Sequence, residues 1–496
     1  MLIVCFAEGI HILDDIKSNR VTFAIRQSAI FIDRWHWLLL AGVAPFLLFS
    51  SSNHLLAVAI VVVPGLWIVA WLAGREPLPR TPLNGALLLM FIMVLVSLWA
   101  TYDVSFSLPK ISGIILGAGI FYAFAREGRA PRGWWLGFLL YMGIGVGIAV
   151  IGLLGTHWIN KIAALSPILS RLPVRIISLP GAENGFHPNY VAGALLWVIP
   201  SLFTFSWLLT TQVEGASTWF ERVKCLLIVL TITATISTVA VLILTQSRES
   251  YIALALTLLT LIEIALPARW RWYGLAALAI FVVFLGVLLA FYWDTVYGWI
   301  TSADLASNPA FSLQSLVTRF EIWSRAIYGI QDFPISGMGM NTFRQLVWRL
   351  YPLYSVPPES DIPHAHNEFL QAALDLGIPG LIAFIALYVL AFWMLVQTWM
   401  DVRIKLRTTL ENQPATAPKL HNWSLLPNAS PQVEVRWVQL IVLGLGGGLL
   451  AHLLYGLTDA VALGAKLGVL FWMLLGLIAG LYEQTRPEKR MDQAND

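Results

Sequence analysis

Three observations predict an all-α, polytopic transmembrane protein. First, 58% of the 496 residues are hydrophobic and only 12% are charged, about half of the ~25% usual for soluble domains. A soluble chain of this length would divide into about three domains, each needing a polar surface, and there are too few charges to coat them. Second, apolar stretches of about 20 residues recur along the chain, each able to cross about 30 Å of hydrocarbon. Third, the basic residues are unevenly placed between those stretches. A disordered chain, a fibrous repeat, a nucleic-acid binder and a disulfide-stapled secreted scaffold are excluded. The two cysteines, Cys5 and Cys225, form no framework, and no CxxC or Cys/His zinc spacing is present.

Taken in order, residues 1–35 form an N-terminal segment. It opens MLIVCFAEGIHILDD, with neither a basic n-region nor a small-residue cleavage site, and so reads as no secretory signal. About twelve spans follow within 36–483, near 36–53, 54–73, 83–101, 108–125, 134–154, 189–211, 223–245, 249–267, 272–292, 377–400, 436–458 and 463–483. Glycine and proline recur inside them, as membrane helices tolerate. With a cytoplasmic N-terminus, 21 of the 31 basic residues fall on the cytoplasmic side and ten on the other. Both termini are therefore expected in the cytoplasm. Two long loops lie on the outer side, 155–188 and 293–376. The second is too long for a passive connector; it holds a helix-like stretch LVTRFEIWSRAIYGI and a Pro/Gly-rich stretch PISGMGMNTF. Residues 401–435 read as a polar cytoplasmic linker and 484–496 as a cytoplasmic tail. No solenoid repeat, GxGxxG, P-loop or HExxH occurs.

The densest chemistry lies in Pro363-His364-Ala365-His366-Asn367-Glu368. Two imidazoles two residues apart beside a carboxylate can supply a general base, orient a substrate, or bind a metal with Asp361 or Glu368 as third ligand; ordinary loop histidines are the plain alternative. Asn367 can fix a ring or cap the helix that NEFLQAALDLG begins. Arg248, at the outer edge of a span, either snorkels or pairs with Glu249, or grips a phosphate with its planar fork. Arg319 either joins an ion pair with Glu321 and Arg325 or faces a ligand. Arg344 and Arg349, with Trp348 and Tyr351, suit an interfacial amphipathic helix. Asn189, opening the sixth span, reads as a cap before a substrate contact. Lys110 and Lys161 are further outer-side cations, Lys110 placed for snorkelling.

Three of these pieces, in order, resemble the O-antigen ligase/polymerase family of bacterial membrane glycosyltransferases. They are Ser247-Arg248 beginning a span; Arg319 and Trp323 followed by Pro334, Gly337, Gly339 and Phe343; and His366-Asn367 leading to Asp375, Gly377 and Gly380. The Asn-Tyr-x-Ala-Gly opening from Asn189 to Gly193 is also typical. One departure is Asp375, where the family more often has Glu. The resemblance implies an all-helical fold like the family C membrane glycosyltransferases. It also implies a glycan donor on undecaprenyl pyrophosphate at the outer face of the bacterial inner membrane, and no nucleotide sugar or other cofactor. It places pyrophosphate binding on Arg248 and Arg319 and transfer on His366, with His364 its rival for the base and Asn367, Asn189 and Arg344 in support.

Two arginines in a poorly hydrated pocket would stabilise the departing pyrophosphate. A neutral imidazole, ordinarily titrating near ~6.5, could take the acceptor's proton, so activity should rise with pH through about 6–7 if the base reading holds. A metal is not obligatory, and attack from the opposite face would invert the anomeric centre. The acceptor, whether a glycan, a lipid or a protein, is left open. The rival class is a small-solute transporter, which glycine-rich helices suit; against it, the polar groups gather at the outer surface.

Overall fold

The computed structural model describes residues 20–36, 40, 53–172, 185–210, 218–292, 314–356, 360–411, 431–461 and 463–486. The expected span at 36–53 lies almost wholly outside them. So do residues 1–19 of the N-terminal segment, parts of both outer loops, most of the linker and residues 487–496. Among the described residues the fold is all-helical. The principal helices are α1 (Arg20–Arg34), α2 (Asn53–Leu72), α3 (Asn84–Ala100), α4 (Val104–Glu127), α5 (Pro131–Gly155), α6 (Pro188–Thr210), α7 (Thr218–Leu244), α8 (Arg248–Ala265) and α9 (Ala268–Phe291). They are followed by α10 (Gln314–Asp332), α11 (Thr342–Leu350), α12 (Glu368–Glu411), α13 (Pro431–Gly456) and α14 (Val469–Thr485). A helix lies at eleven of the twelve expected span positions. Seven described helices are long and apolar enough to cross a membrane by length and composition: α4 to α7 and α12 to α14.

α6, α13 and α14 form the centre. Their faces are buried nearly throughout, with Trp197, Tyr455 and Trp472 enclosed. Hydrocarbon offers no hydrophobic drive between helices, so close van der Waals fit has to hold them. The LGLGGGLL run of α13 supplies it. A Cβ on Gly448 would lie 2.1 Å from the Trp197 carbonyl oxygen, and one on Gly444 2.2 Å from Thr204 Oγ1, so glycine there lets α13 press directly on the backbone of α6. α4 packs on α14, and α3 on α12.

The long loop expected at 293–376 carries structure of its own. LVTRFEIWSRAIYGI is helical as α10, and FRQLVWRL as α11. The two close over a small separate core of Ile322, Ala326, Phe343, Val347 and Leu374. The Pro/Gly-rich stretch between them docks on α12. The Met338 amide donates to the Leu374 carbonyl at 2.7 Å, and the Ile378 amide to the Pro334 carbonyl at 2.8 Å. Gly377 breaks α12 with φ 69°; a Cβ there would sit 2.1 Å from Ile335 O, and one on Gly337 (φ 68°) 2.6 Å from the Gly377 nitrogen. The two motif glycines thus exist for one tight backbone crossing.

Asp375 fastens the same crossing. It is fully buried and accepts from Lys110 Nζ at 3.0 Å, from the Asn341 amide at 3.0 Å and from Gln371 Nε2 at 2.8 Å. Snorkelling is therefore the wrong account of Lys110: its ammonium turns inward to a buried carboxylate from the far side of the chain.

Candidate active site

Four segments meet at one end of the bundle. The loop after α5 is tied to the start of α6, because the Phe186 amide donates to the Gly155 carbonyl at 2.8 Å and the His157 amide to the Phe186 carbonyl at 3.0 Å. It is tied to the α7–α8 turn as well. Buried Gln246, held at φ 53°, accepts through Oε1 from the Lys161 amide at 2.7 Å and the Ile162 amide at 2.6 Å. That turn sets Ser247, Arg248 and Glu249 at the head of α8. The histidine loop and the residues after α13 complete the site.

Its centre is a residue the sequence reading passed over. Asp459, 2% exposed, follows α13, and both loop histidines face it. His366 Nδ1 stands 3.3 Å from its Oδ1, and His364 Nε2 stands 3.7 Å from the same oxygen. Asn189 Nδ2 donates to Oδ2 at 2.8 Å, Tyr455 Oη donates to Oδ2 at 3.1 Å, and the Ala460 amide donates to Oδ1 at 2.9 Å. Burial alone would push this carboxyl up. The approach of His366 and the surrounding positive charge, Arg319 included, reverse the effect and hold it ionised well below the usual carboxylate range.

The two histidines are not equivalent. His364 is enclosed, and its Nδ1 accepts the His366 amide at 3.2 Å. The neutral ring then carries its proton on Nε2, on the side of Asp459. Burial, reinforced by His366, pushes His364 down to about 3. His366 is the more open ring, with 26% of its side chain exposed against 9% for His364. It sits at φ 48°, a left-handed conformation that costs energy in a non-glycine residue and clusters at functional sites. Trp323 Nε1 holds its carbonyl at 3.2 Å. His187 lies nearby at the start of α6, and burial lowers its ring as well, Asp459 opposing.

Arg319 lies one turn before Trp323, on the same face of α10. Its Nη1 donates to Glu249 Oε1 at 2.5 Å, so the expected pairing within α10 goes to Arg325 and Glu321 alone, at 3.4 Å. Glu321 is engaged further by the Tyr354 amide at 2.7 Å. Arg248 adjoins Glu249 at the head of α8. Lys161, lowered by burial, feels Glu249, Arg248, Arg319 and Asp459 together, which places all five charges in one neighbourhood. That cation escaped the sequence assignment because nothing local distinguishes it.

The remaining expectations divide. Asn367 accepts the Phe369 and Leu370 amides, both at 3.0 Å, as a helix cap does, and its Nδ2 reaches the Leu457 carbonyl at 2.8 Å. It thereby joins the histidine loop to the segment bearing Asp459. Asn189 does not cap α6; its amide holds Asp459. Arg344 is taken up by Asp361, with Nε donating to Oδ1 at 2.6 Å, and its guanidinium lies over Phe106. Asp361 is thus turned away from the histidines, and Glu368 Oε2 instead lies 3.4 Å from His452 Nδ1. The carboxylate that can join His364 and His366 around a metal is Asp459: the three ligand atoms lie within 4.8 Å of one another.

No curated protein matches the chain. The family model described as O-antigen ligase matches residues 233–385. The match spans Arg248, Glu249, Arg319, His364, His366 and Asn367; Asn189 and Asp459 fall outside it. Over residues 233–385 the chain is therefore similar to the O-antigen ligase family.

Proposed function

We propose that this protein moves a glycan from an undecaprenyl-pyrophosphate donor onto an acceptor hydroxyl at the outer face of the bacterial inner membrane, without a metal and with inversion. The observation that carries the reading is the gathering, at one end of the bundle, of an imidazole facing a buried carboxylate with Arg319 close by. Asp459 facing Nδ1 of His366 leaves Nε2 as the basic atom. His364, enclosed and with Nδ1 taken by the His366 amide, supports the loop rather than acting as base.

In the step, His366 Nε2 takes the proton of the acceptor hydroxyl, and that oxygen bonds to the anomeric carbon. The bond from that carbon to the phosphate oxygen breaks on the opposite face, and the electron pair leaves with the pyrophosphate. Arg319, held by Glu249, and Arg248 meet the charge that develops there, as preorganised donors do in a water-poor site. The ionised Asp459 stabilises the imidazolium. Each Asp459 oxygen already accepts from protein donors, which favours the orienting role over metal ligation. Lipid-A core, another lipid-linked glycan and a protein all remain acceptors this chemistry serves.

Purified full-length protein, given a lipid-pyrophosphate-linked glycan and a mixture of acceptors, is expected to form product of inverted anomeric configuration. Turnover should be unchanged by a chelator. Retained configuration, or activity lost to chelator and restored by a divalent cation, would overturn this mechanism.

A further inference from the structure

The opposite end of the bundle carries a second cationic site. α8 runs from Arg248 at the candidate site to Ala265, roughly 26 Å away at 1.5 Å per residue. There, between the ends of α6 and α8, the far part of α12 and the start of α13, lies a cavity of about 790 Å³. Its polar rim holds Arg271, Arg403 and Arg436, and its walls include Trp207, Trp399 and buried Leu443. Arg271 is fixed in place: Nε donates to the Leu266 carbonyl at 2.9 Å and Nη2 to the Ile264 carbonyl at 2.6 Å. Those bonds orient its guanidinium and leave further donors on the fork. Among the described residues, no carboxylate pairs with Arg403 or Arg436.

We propose that this cavity binds the phosphate headgroup of an anionic phospholipid, entering from the bilayer. Three guanidinium groups converging on one space match phosphate oxygens in charge and geometry. The apolar wall argues for a lipid rather than a dissolved anion, because a free phosphate would leave Leu443 and the indoles facing water. Two tryptophans beside basic residues at helix ends are also the arrangement that settles at a headgroup layer. The site is separate from the transfer chemistry and does not depend on it.

The test is binding of phosphatidylglycerol to the full-length protein in phosphatidylcholine nanodiscs, read as retained lipid by native mass spectrometry. The wild type should retain it. The Arg403→Gln/Arg436→Gln double variant should bind about tenfold or more weakly, at ~1 kcal/mol per basic residue near the surface, and the Arg→Lys pair should keep most of the binding. Thermal stability of the wild type supplies a check independent of any variant: phosphatidylglycerol should raise Tm, and inorganic phosphate at matched concentration should not. Equal retention by wild type and the Gln pair, a Tm indifferent to phosphatidylglycerol, or a full shift from phosphate alone would each overturn the proposal.

Discussion

The two ends of the helix bundle handle positive charge in opposite ways. At the end that holds Asp459, Arg319 is met by Glu249, Lys110 by Asp375 and Arg344 by Asp361, and the two neutral loop histidines face Asp459 itself. Around the cavity at the other end, Arg403 and Arg436 have no such partner among the described residues, and Arg271 is held by backbone carbonyls. Closed pairs fix where each charge points, which a reacting centre needs because misaimed charge stabilises no transition state. An open ring of guanidinium groups suits a ligand that brings its own anion.

The comparison can be broken most severely at the closed end. Asp459→Asn should lower turnover by roughly 10² to 10⁴-fold, since an amide can neither orient His366 as an anion does nor stabilise its charged form. Substrate affinity should change far less, and steady-state release of lipid pyrophosphate measures both. Near-normal turnover would reduce Asp459 to packing.

A smaller effect is expected at the crossing below. Lys110→Met should cost about 3 kcal/mol of stability, because it leaves Asp375 buried without its counter-charge. The Lys110→Met/Asp375→Asn double variant should recover part of that loss in a denaturation assay. Arg325→Ala, which breaks the pair with Glu321 on α10, should cost no more than about 1 kcal/mol.

Stability at the closed end should also depend on acid. An unfolded histidine titrates near ~6.5, whereas buried His364 is held down to about 3. Its contribution to folding is complete above the unfolded value and is lost as pH falls from there toward the folded one. Asp459, depressed below the carboxylate range, adds a loss in the same direction beginning lower, beneath ~4. Tm should therefore fall between pH 7 and pH 4.5, and His364→Asn should flatten the slope. A flat wild-type profile would contradict the neutral, enclosed state of His364.

How far these features were legible in the sequence follows from how local their signals are. Helices show through runs of apolar residues, so helix positions from 54 onward were readable, as were α10 and α11 inside the long loop. Arg248, Arg319 and His366 stand in ordered motifs. Asp459 gave no such sign: it lies 93 positions from His366 in a loop, GLTDAVALG, with no second acidic residue nearby. The one hint was an ionisable residue at the boundary of two apolar runs, a position that defaults to a functional candidate. Lys110 was misread because its partner Asp375 is 265 residues away, and the capping account of Asn189 failed because α6 already starts at Pro188 and the side chain turns its Nδ2 to a distant carboxylate. Contacts across the bundle leave no period in the chain.

The central claim is that Arg248, Arg319 and His366 act on one lipid-linked donor. It is tested most directly by the release of undecaprenyl pyrophosphate from a lipid-linked glycan by the purified protein, with Arg248→Ala, Arg319→Ala and His366→Ala measured side by side. Each variant is expected to fold and to lose at least about 10²-fold in turnover. Undiminished release in both arginine variants, or in His366→Ala, would contradict the account.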